Sequence, residues 1–206
     1  MSKGDDYYIL ILAEGLEEEP YLNKIISFKK FSSLYQIQVK NVKGNGNFTA
    51  KFQNEWQSGR YELVLFCMDM DNGSEQTNNI IKKIGLQNFG DESIGYELVM
   101  FANPVTMLVV LSHLRKIEKL SKSKPANAPI IKEITGIENY TAKEEQIEKL
   151  VSLIKYSNYD VMKENLRENS TSPNDNLSTN IHRWFQRFES DDPAWIEKLI
   201  DKINKA

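Results

Sequence analysis

Tyr61-Glu62-Leu63-Val64-Leu65-Phe66-Cys67-Met68-Asp69-Met70-Asp71 is the stretch on which the reading of this chain turns. A short apolar run bounded by polar residues predicts a strand buried on both faces. Two carboxylates follow it at once. In an open α/β sheet, ligands bind outside the carboxyl ends of the strands. If the extended geometry persists, residues 69 and 71 point to one side, roughly 6–7 Å apart. Two carboxylates at that separation repel by about 2–3 kcal/mol at an effective dielectric near 20. A hard cation shared between oxygen ligands would offset that repulsion. The competing reading is that the Asp residues cap the next helix.

Upstream, Tyr7-Tyr-Ile-Leu-Ile-Leu-Ala13 reads as a first strand, ended by Glu14-Gly15. Glu17-Glu18-Glu19-Pro20 opens a helix, its acids complementing the positive end of the dipole. Residues 35–43 read as a second strand and residues 44–47 (Gly-Asn-Gly-Asn) as a tight loop. Residues 48–58 read as a helix with Phe48, Phe52 and Trp56 on one face. Downstream, Asn72-Gly73-Ser74 is a turn and residues 75–84 a helix. A loop follows from Leu86 to Ser93. Tyr96 to Ala102 reads as a fourth strand, ended by Asn103-Pro104, and Val105 to Leu120 as a helix. This alternation predicts an α/β fold: a mostly parallel four-stranded sheet flanked by helices, with right-handed crossovers.

The character changes after Ser121. Residues 121–127 resemble a linker, residues 141–156 and 158–168 are helical, and 168–177 is an Asn/Ser/Pro-rich loop. Two further helices end the chain. The expected organisation is an α/β domain over residues 1–120 and a helical C-terminal region over 121–206. The latter packs on the former, since its apolar faces are too few for a core of their own.

The 206 residues carry a net charge of −3, so no global basic field draws the chain to nucleic acid or lipid. Nucleic-acid binding would have to use local patches. The single cysteine, Cys67, lies within a strand and behaves as a small hydrophobe. With no signal pattern and no apolar run near 18 residues, a cytoplasmic protein without membrane contact is expected.

Placed side by side, the strand ends offer Glu14, Asp69 and Asp71 at one sheet edge. Oxygen donors of this number suit Mg²⁺, or Mn²⁺, better than Zn²⁺. Such an ion polarises a phosphoryl oxygen or activates water. Gly15 would let a phosphate approach the backbone. Lys43, Asn103 and Arg115 are weaker phosphate-binding candidates, Arg115 within a basic run 115–124 whose simpler reading is a solvated helix face. His113, in an apolar helix, reads first as a packing residue. His182 and Arg187 sit on a tail helix where surface placement is the simpler reading.

Glu14-Gly15 after strand one and Asp69-x-Asp71 after strand three, within one α/β unit, resemble a Toprim domain. That domain is shared by topoisomerases, DnaG-type primases, OLD-family nucleases and RecR-type recombination proteins. Its RloB-like branch is similar in having Glu-Gly near the N-terminus, here Glu14-Gly15-Leu16-Glu17-Glu18-Glu19, and Asn-Pro with a later His, here Asn103-Pro104 and His113. Thr106, Met107 and Val109 stand where that branch has Phe, Glu and Trp. Asn176-Leu177-Ser178-Thr179-Asn180 is similar to a further Asn-Pro-Ser-Thr stretch. The resemblance implies Glu14 as general acid/base, Asp69 and Asp71 as Mg²⁺ ligands, and a nuclease acting on DNA or RNA. It also implies a bacterial anti-phage context, with a partner protein from a defence operon. The alternative is a non-catalytic Toprim-like module that binds nucleic acid or a partner. A receiver-like phosphoacceptor is disfavoured, since Glu14-Gly15 and Asn103 stand where adjacent acids and a Lys are needed.

Overall fold

The computed structural model describes residues 6–44, 48–71 and 75–205. Loop residues 45–47 and the expected turn Asn72-Gly73-Ser74 lie outside them. In order, the chain forms β1 (Tyr7–Ala13), α1 (Glu18–Ile26), β2 (Tyr35–Asn41), α2 (Phe48–Gln57) and β3 (Leu63–Asp69). Next come α3 (Glu75–Phe89), α4 (Glu92–Leu98), β4 (Val99–Asn103) and α5 (Met107–Ser112). The tail contributes α6 (Lys124–Thr135), α7 (Glu144–Leu153), a 3-10 turn (Tyr156–Asn158), α8 (Tyr159–Leu166), β5 (Ser178–Thr179), α9 (Ile181–Glu189) and α10 (Ala194–Lys205).

The apolar runs become the centre of the sheet because a strand covered on both faces must be apolar on both. β3 is buried from Leu63 to Met68. Strand order is β2-β1-β3-β4-β5, with β1 to β4 mutually parallel. From β1 the chain steps outward to β2, then returns past β1 to β3. The topological switch point therefore lies between β1 and β3. On one face, Phe66 meets Phe48 and Phe52 of α2. On the other, Tyr21 of α1 packs with Phe185 of α9 and His113.

Four expectations are corrected. The sheet has a fifth strand: Ser178 and Thr179 pair antiparallel with Asn103 and Ala102. The two-residue strand carries no hydrophobic pattern and exists because β4 offers an open edge. Its neighbours extend the attachment. The Thr179 hydroxyl donates to the Phe101 carbonyl at 2.6 Å. The Asn180 side chain accepts from Phe101 N–H and donates to the Val99 carbonyl, both at 2.8 Å.

Tyr96, Glu97 and Leu98, read as strand, belong to α4, and α3 runs through the expected loop to Phe89. The reason is helix packing. A Cβ on Gly95 would lie 2.0 Å from the Ile81 carbonyl oxygen, so only glycine allows α4 to press this closely on α3. Asp91 caps α4 by accepting from Ser93 N–H at 2.8 Å.

The helix after Pro104 stops at Ser112 rather than Leu120. The Ser112 carbonyl accepts from the Asn165 amide of α8 at 2.7 Å, in place of a helical partner. Finally, the linker-like residues open α6, whose first turn holds Pro125. The Asn127 side chain ties this start to Ser121 through two hydrogen bonds of 2.8 and 2.7 Å.

Apolar residues of the sheet and of the tail form one buried cluster, from Ile9 to Ile203. Among the described residues, no helix is long and apolar enough to cross a membrane.

Candidate functional site

Glu14 and Asp69 stand at the carboxyl ends of β1 and β3, on either side of the switch point. The register aligns Ala13, the last residue of β1, with Cys67, so β3 runs two residues past the end of β1. Glu14 N–H donates to the Cys67 carbonyl at 3.1 Å. In return, Asp69 N–H donates to Glu14 Oε2 at 3.1 Å. The carboxylate of one strand end is thus fastened to the backbone of the next.

Asp69 is held from its other side by Thr106. Both the Thr106 N–H (2.6 Å) and its hydroxyl (2.8 Å) donate to Asp69 Oδ1. Two donors on one oxygen favour the ionised form, yet the net direction is upward. Burial raises Asp69 well above the usual carboxylate range, and the charges of Glu18 and Glu14 raise it further. The Cys67 thiol reports the same neighbourhood. It is raised by burial first, then by Glu18, Asp69 and Glu14. Residues 67 and 69 share a side of β3, so Asp69 lies on the α1 side of the sheet.

Glu18 is the member that sequence reasoning missed. Its position in a first helical turn gave it a sufficient role as a dipole complement. In the fold it is only 3% exposed. Its Oε2 accepts Gly15 N–H at 3.0 Å, and a Cβ on Gly15 would come within 2.9 Å of that oxygen. Gly15 therefore lets a carboxylate sit against the backbone. Thr106 was also missed as a site residue. A hydroxyl three positions after Asn103 was its sole signal.

Asp71 departs from the expected geometry. β3 ends at Asp69, Met70 is buried, and Asp71 has φ +48, in the left-handed region that Asp tolerates in turns. Met70 N–H donates to the Ala102 carbonyl and Asp71 N–H to the Pro104 carbonyl, each at 3.0 Å. The strand alternation that would set residues 69 and 71 on one side is broken between them. The reason is that the chain must bend to follow the end of β4.

A groove of about 530 Å³ opens beside Glu14, lined by Gly15, Leu16, Glu19, Asn41 and Lys43. Lys43 is brought there by its loop. Its N–H donates to Asn41 Oδ1 at 2.7 Å, and Gly44 N–H donates to the Glu14 carbonyl at 2.9 Å. The remaining candidates lead elsewhere. Asn103 is buried and donates to the carbonyls of Pro173 (3.2 Å) and Asp175 (2.7 Å), clamping the loop before β5. Arg115 pairs with Glu133 at 2.5 Å and Lys116 with Glu168 at 2.9 Å, both outside any helix of the 115–120 run. Glu17 accepts from the Tyr140 hydroxyl at 2.7 Å. His113 is fully buried with Nε2 at 3.0 Å from the Tyr21 hydroxyl, and burial pushes it down to about 4.

Glu14, Glu18 and Asp69 fit a hard cation in chemistry: all donors are oxygens, and their charges already oppose one another. Among the described residues, no three acidic, imidazole or thiol groups are drawn together as a finished metal cage. Searches against protein-family models, curated proteins and solved structures return no match for this chain.

Proposed function

We propose that this protein is a Mg²⁺-dependent phosphodiesterase of the Toprim kind, cutting DNA or RNA in a phage-defence setting. One observation carries the reading: the Glu14 carboxylate accepts Asp69 N–H across the switch point of a parallel sheet, which sets the two acids side by side, with Glu18 adding charge to the same neighbourhood. Asp69 and Glu14 would hold the ion, with Glu18 beside them and Asp71 following on the turn; Mn²⁺ would substitute. When bound, the ion polarises a phosphoryl oxygen. Asp69 Oδ1 accepts both Thr106 donors, which would leave Oδ2 for the ion. Glu14 lines an open groove, where it can exchange a proton with a bound substrate. Lys43 in the same groove supplies positive charge for a phosphate. The defence context and a partner protein from the same operon rest on the resemblance alone.

The test is Mn²⁺ titration by calorimetry together with cleavage of single- and double-stranded DNA and RNA. Asp69→Asn and Glu14→Gln are expected to weaken the ion by about 100-fold, near 2.7 kcal/mol, and to abolish cleavage with circular dichroism unchanged. Retained binding and cleavage in both variants would remove the assignment.

A second reading has its own support. Glu14 and Asp69 both accept backbone N–H groups, which is what carboxylates do when they only tie strand ends together. In that case the protein is a non-catalytic module that binds nucleic acid or a partner. Wild-type protein inert toward every ion and nucleic acid, with both variants destabilised, would favour it.

A further inference from the structure

The opposite edge of the sheet carries a different kind of groove. It measures about 390 Å³ and is lined by Arg183, Gln186 and Arg187 of α9 with Ser190, Asp192 and Trp195. It lies over the strand starts. Trp184 Nε1 donates to the carbonyl of Val99, the first residue of β4, at 3.2 Å. Trp195 Nε1 donates to the hydroxyl of Tyr35, the first residue of β2, at 2.8 Å.

Arg183 and Arg187 are one helical turn apart and exposed, so their like charges face each other. The chain's other arginines are all paired: Arg60 with Glu55 at 3.3 Å, Arg115 with Glu133 at 2.5 Å, Arg167 with Glu164 at 3.1 Å. Among the described residues neither Arg183 nor Arg187 has a carboxylate within ion-pair distance. Glu97 of α4, whose charge reaches Arg187, is paired with Lys202 at 2.8 Å. Asp192 lines the groove too, with its Oδ1 accepting Ala194 N–H at 3.0 Å. Two guanidinium groups against one capped carboxylate leave the groove cationic in a chain of net charge −3.

Arg187 is also pre-positioned. Its guanidinium lies 4.6 Å from the centroid of Trp184 and 5.9 Å from that of Trp195. Contact with both indoles, which stand edge-on to one another, restrains the guanidinium before any ligand arrives. Arg187 is exposed as a residue, but the indoles cover part of its guanidinium, and that partial loss of hydration pushes it down from its ordinary value; Glu97 acts the other way, and Arg183 adds to the fall. An anion would offset that cost. Planar guanidinium forks match phosphate oxygens in a way that a lysine does not.

We infer that Arg183 and Arg187, with Gln186 between them, form a phosphate-binding site at the amino edge of the sheet, independent of the carboxylates at the other edge. The phosphate belongs either to a nucleic-acid backbone or to a free nucleotide, and the experiment separates the two. A fluorescein-labelled DNA single strand is followed by anisotropy over a range of salt. ATP and inorganic phosphate are followed by calorimetry and by the emission of Trp184 and Trp195. Arg183→Gln removes one charge without touching the indoles, and Arg187→Lys keeps the charge but loses the fork. For a backbone ligand, Arg183→Gln weakens the strand about 5-fold or more and lowers the salt slope by about 0.7, while ATP does not bind. For a nucleotide ligand, ATP and phosphate bind and shift the tryptophan emission, and both variants weaken them. Binding of every probe at wild-type strength in both variants overturns the proposal, as does a wild-type protein that binds none.

Discussion

The two edges of this sheet are built from opposite materials. At the carboxyl edge, Glu14, Glu18 and Asp69 are drawn in against buried strand ends, and their mutual repulsion is held by backbone N–H groups and Thr106. At the amino edge, Arg183 and Arg187 face solvent, Arg187 lying against two indoles. The first arrangement follows from parallel topology, which brings loops from several strands to one place. The second was made by the tail, whose α9 and α10 cross the starts of β1, β2 and β4. Charge of one sign gathered at either edge is a cost to folding that a ligand of opposite sign would repay.

The largest expected effect comes from detaching the tail. Asn180 bonds both Phe101 N–H and the Val99 carbonyl, so its side chain does for β4 what another strand would do. Asn180→Ala leaves a buried N–H without its acceptor and is expected to cost roughly 2–3 kcal/mol in urea unfolding. A cost under 0.5 kcal/mol would mean that the tail is held by packing alone.

Acidification should act on the two regions with opposite sign. His113 in the helical layer and His182 on α9 are held down to about 4 by burial. Between pH 6.5 and 4 the unfolded chain binds the extra protons, so stability falls as pH falls; His113 contributes about 2 kcal/mol between pH 7 and 5, and His182, nearer solvent, less. Asp69 is held up, so the folded state binds its proton first. Its contribution is lost as pH rises through the folded value, and acidification restores it. In chelated buffer, unfolding midpoints of wild type, His113→Gln and Asp69→Asn across this range separate the two. His113→Gln should flatten the acid loss and Asp69→Asn should deepen it.

The smallest effect sharpens the meaning of Glu18. Glu18→Gln keeps an acceptor for Gly15 N–H but removes one of the opposed charges. Without metal it should gain about 1 kcal/mol of stability at pH 7, and with Mn²⁺ it should gain less than wild type does. Equal stabilisation of both proteins by Mn²⁺ would exclude Glu18 from the ion's surroundings.

Much of the frame was legible in the sequence. β1 and β3 are continuous apolar runs within strands of seven residues, too short for a buried helix and bounded by polar residues. β4 was found but begun three residues early, because Tyr96 and Leu98 are as apolar as the strand they precede. Whether they are helix depends on Gly95 meeting Ile81, a contact between residues that no local pattern links. The partnership of Glu14 and Asp69 was legible as two strand ends that had to be neighbours. The partnership of Asp69 with Thr106 was not, since a Thr after a strand carries no mark of which carboxylate it will hold.

The sequence by itself determined which segments are buried strands, that they alternate with helices, and that acids sit where those strands stop. Those properties depend on period and on solvent exposure, which are local. Tertiary structure alone decided that Glu18 joins Glu14 and Asp69, that Asp71 turns away from the strand's alternation, and that two residues of the tail complete the sheet. Each of these is a contact between distant residues. Its free energy comes from geometry that exists only once the strands have been laid side by side.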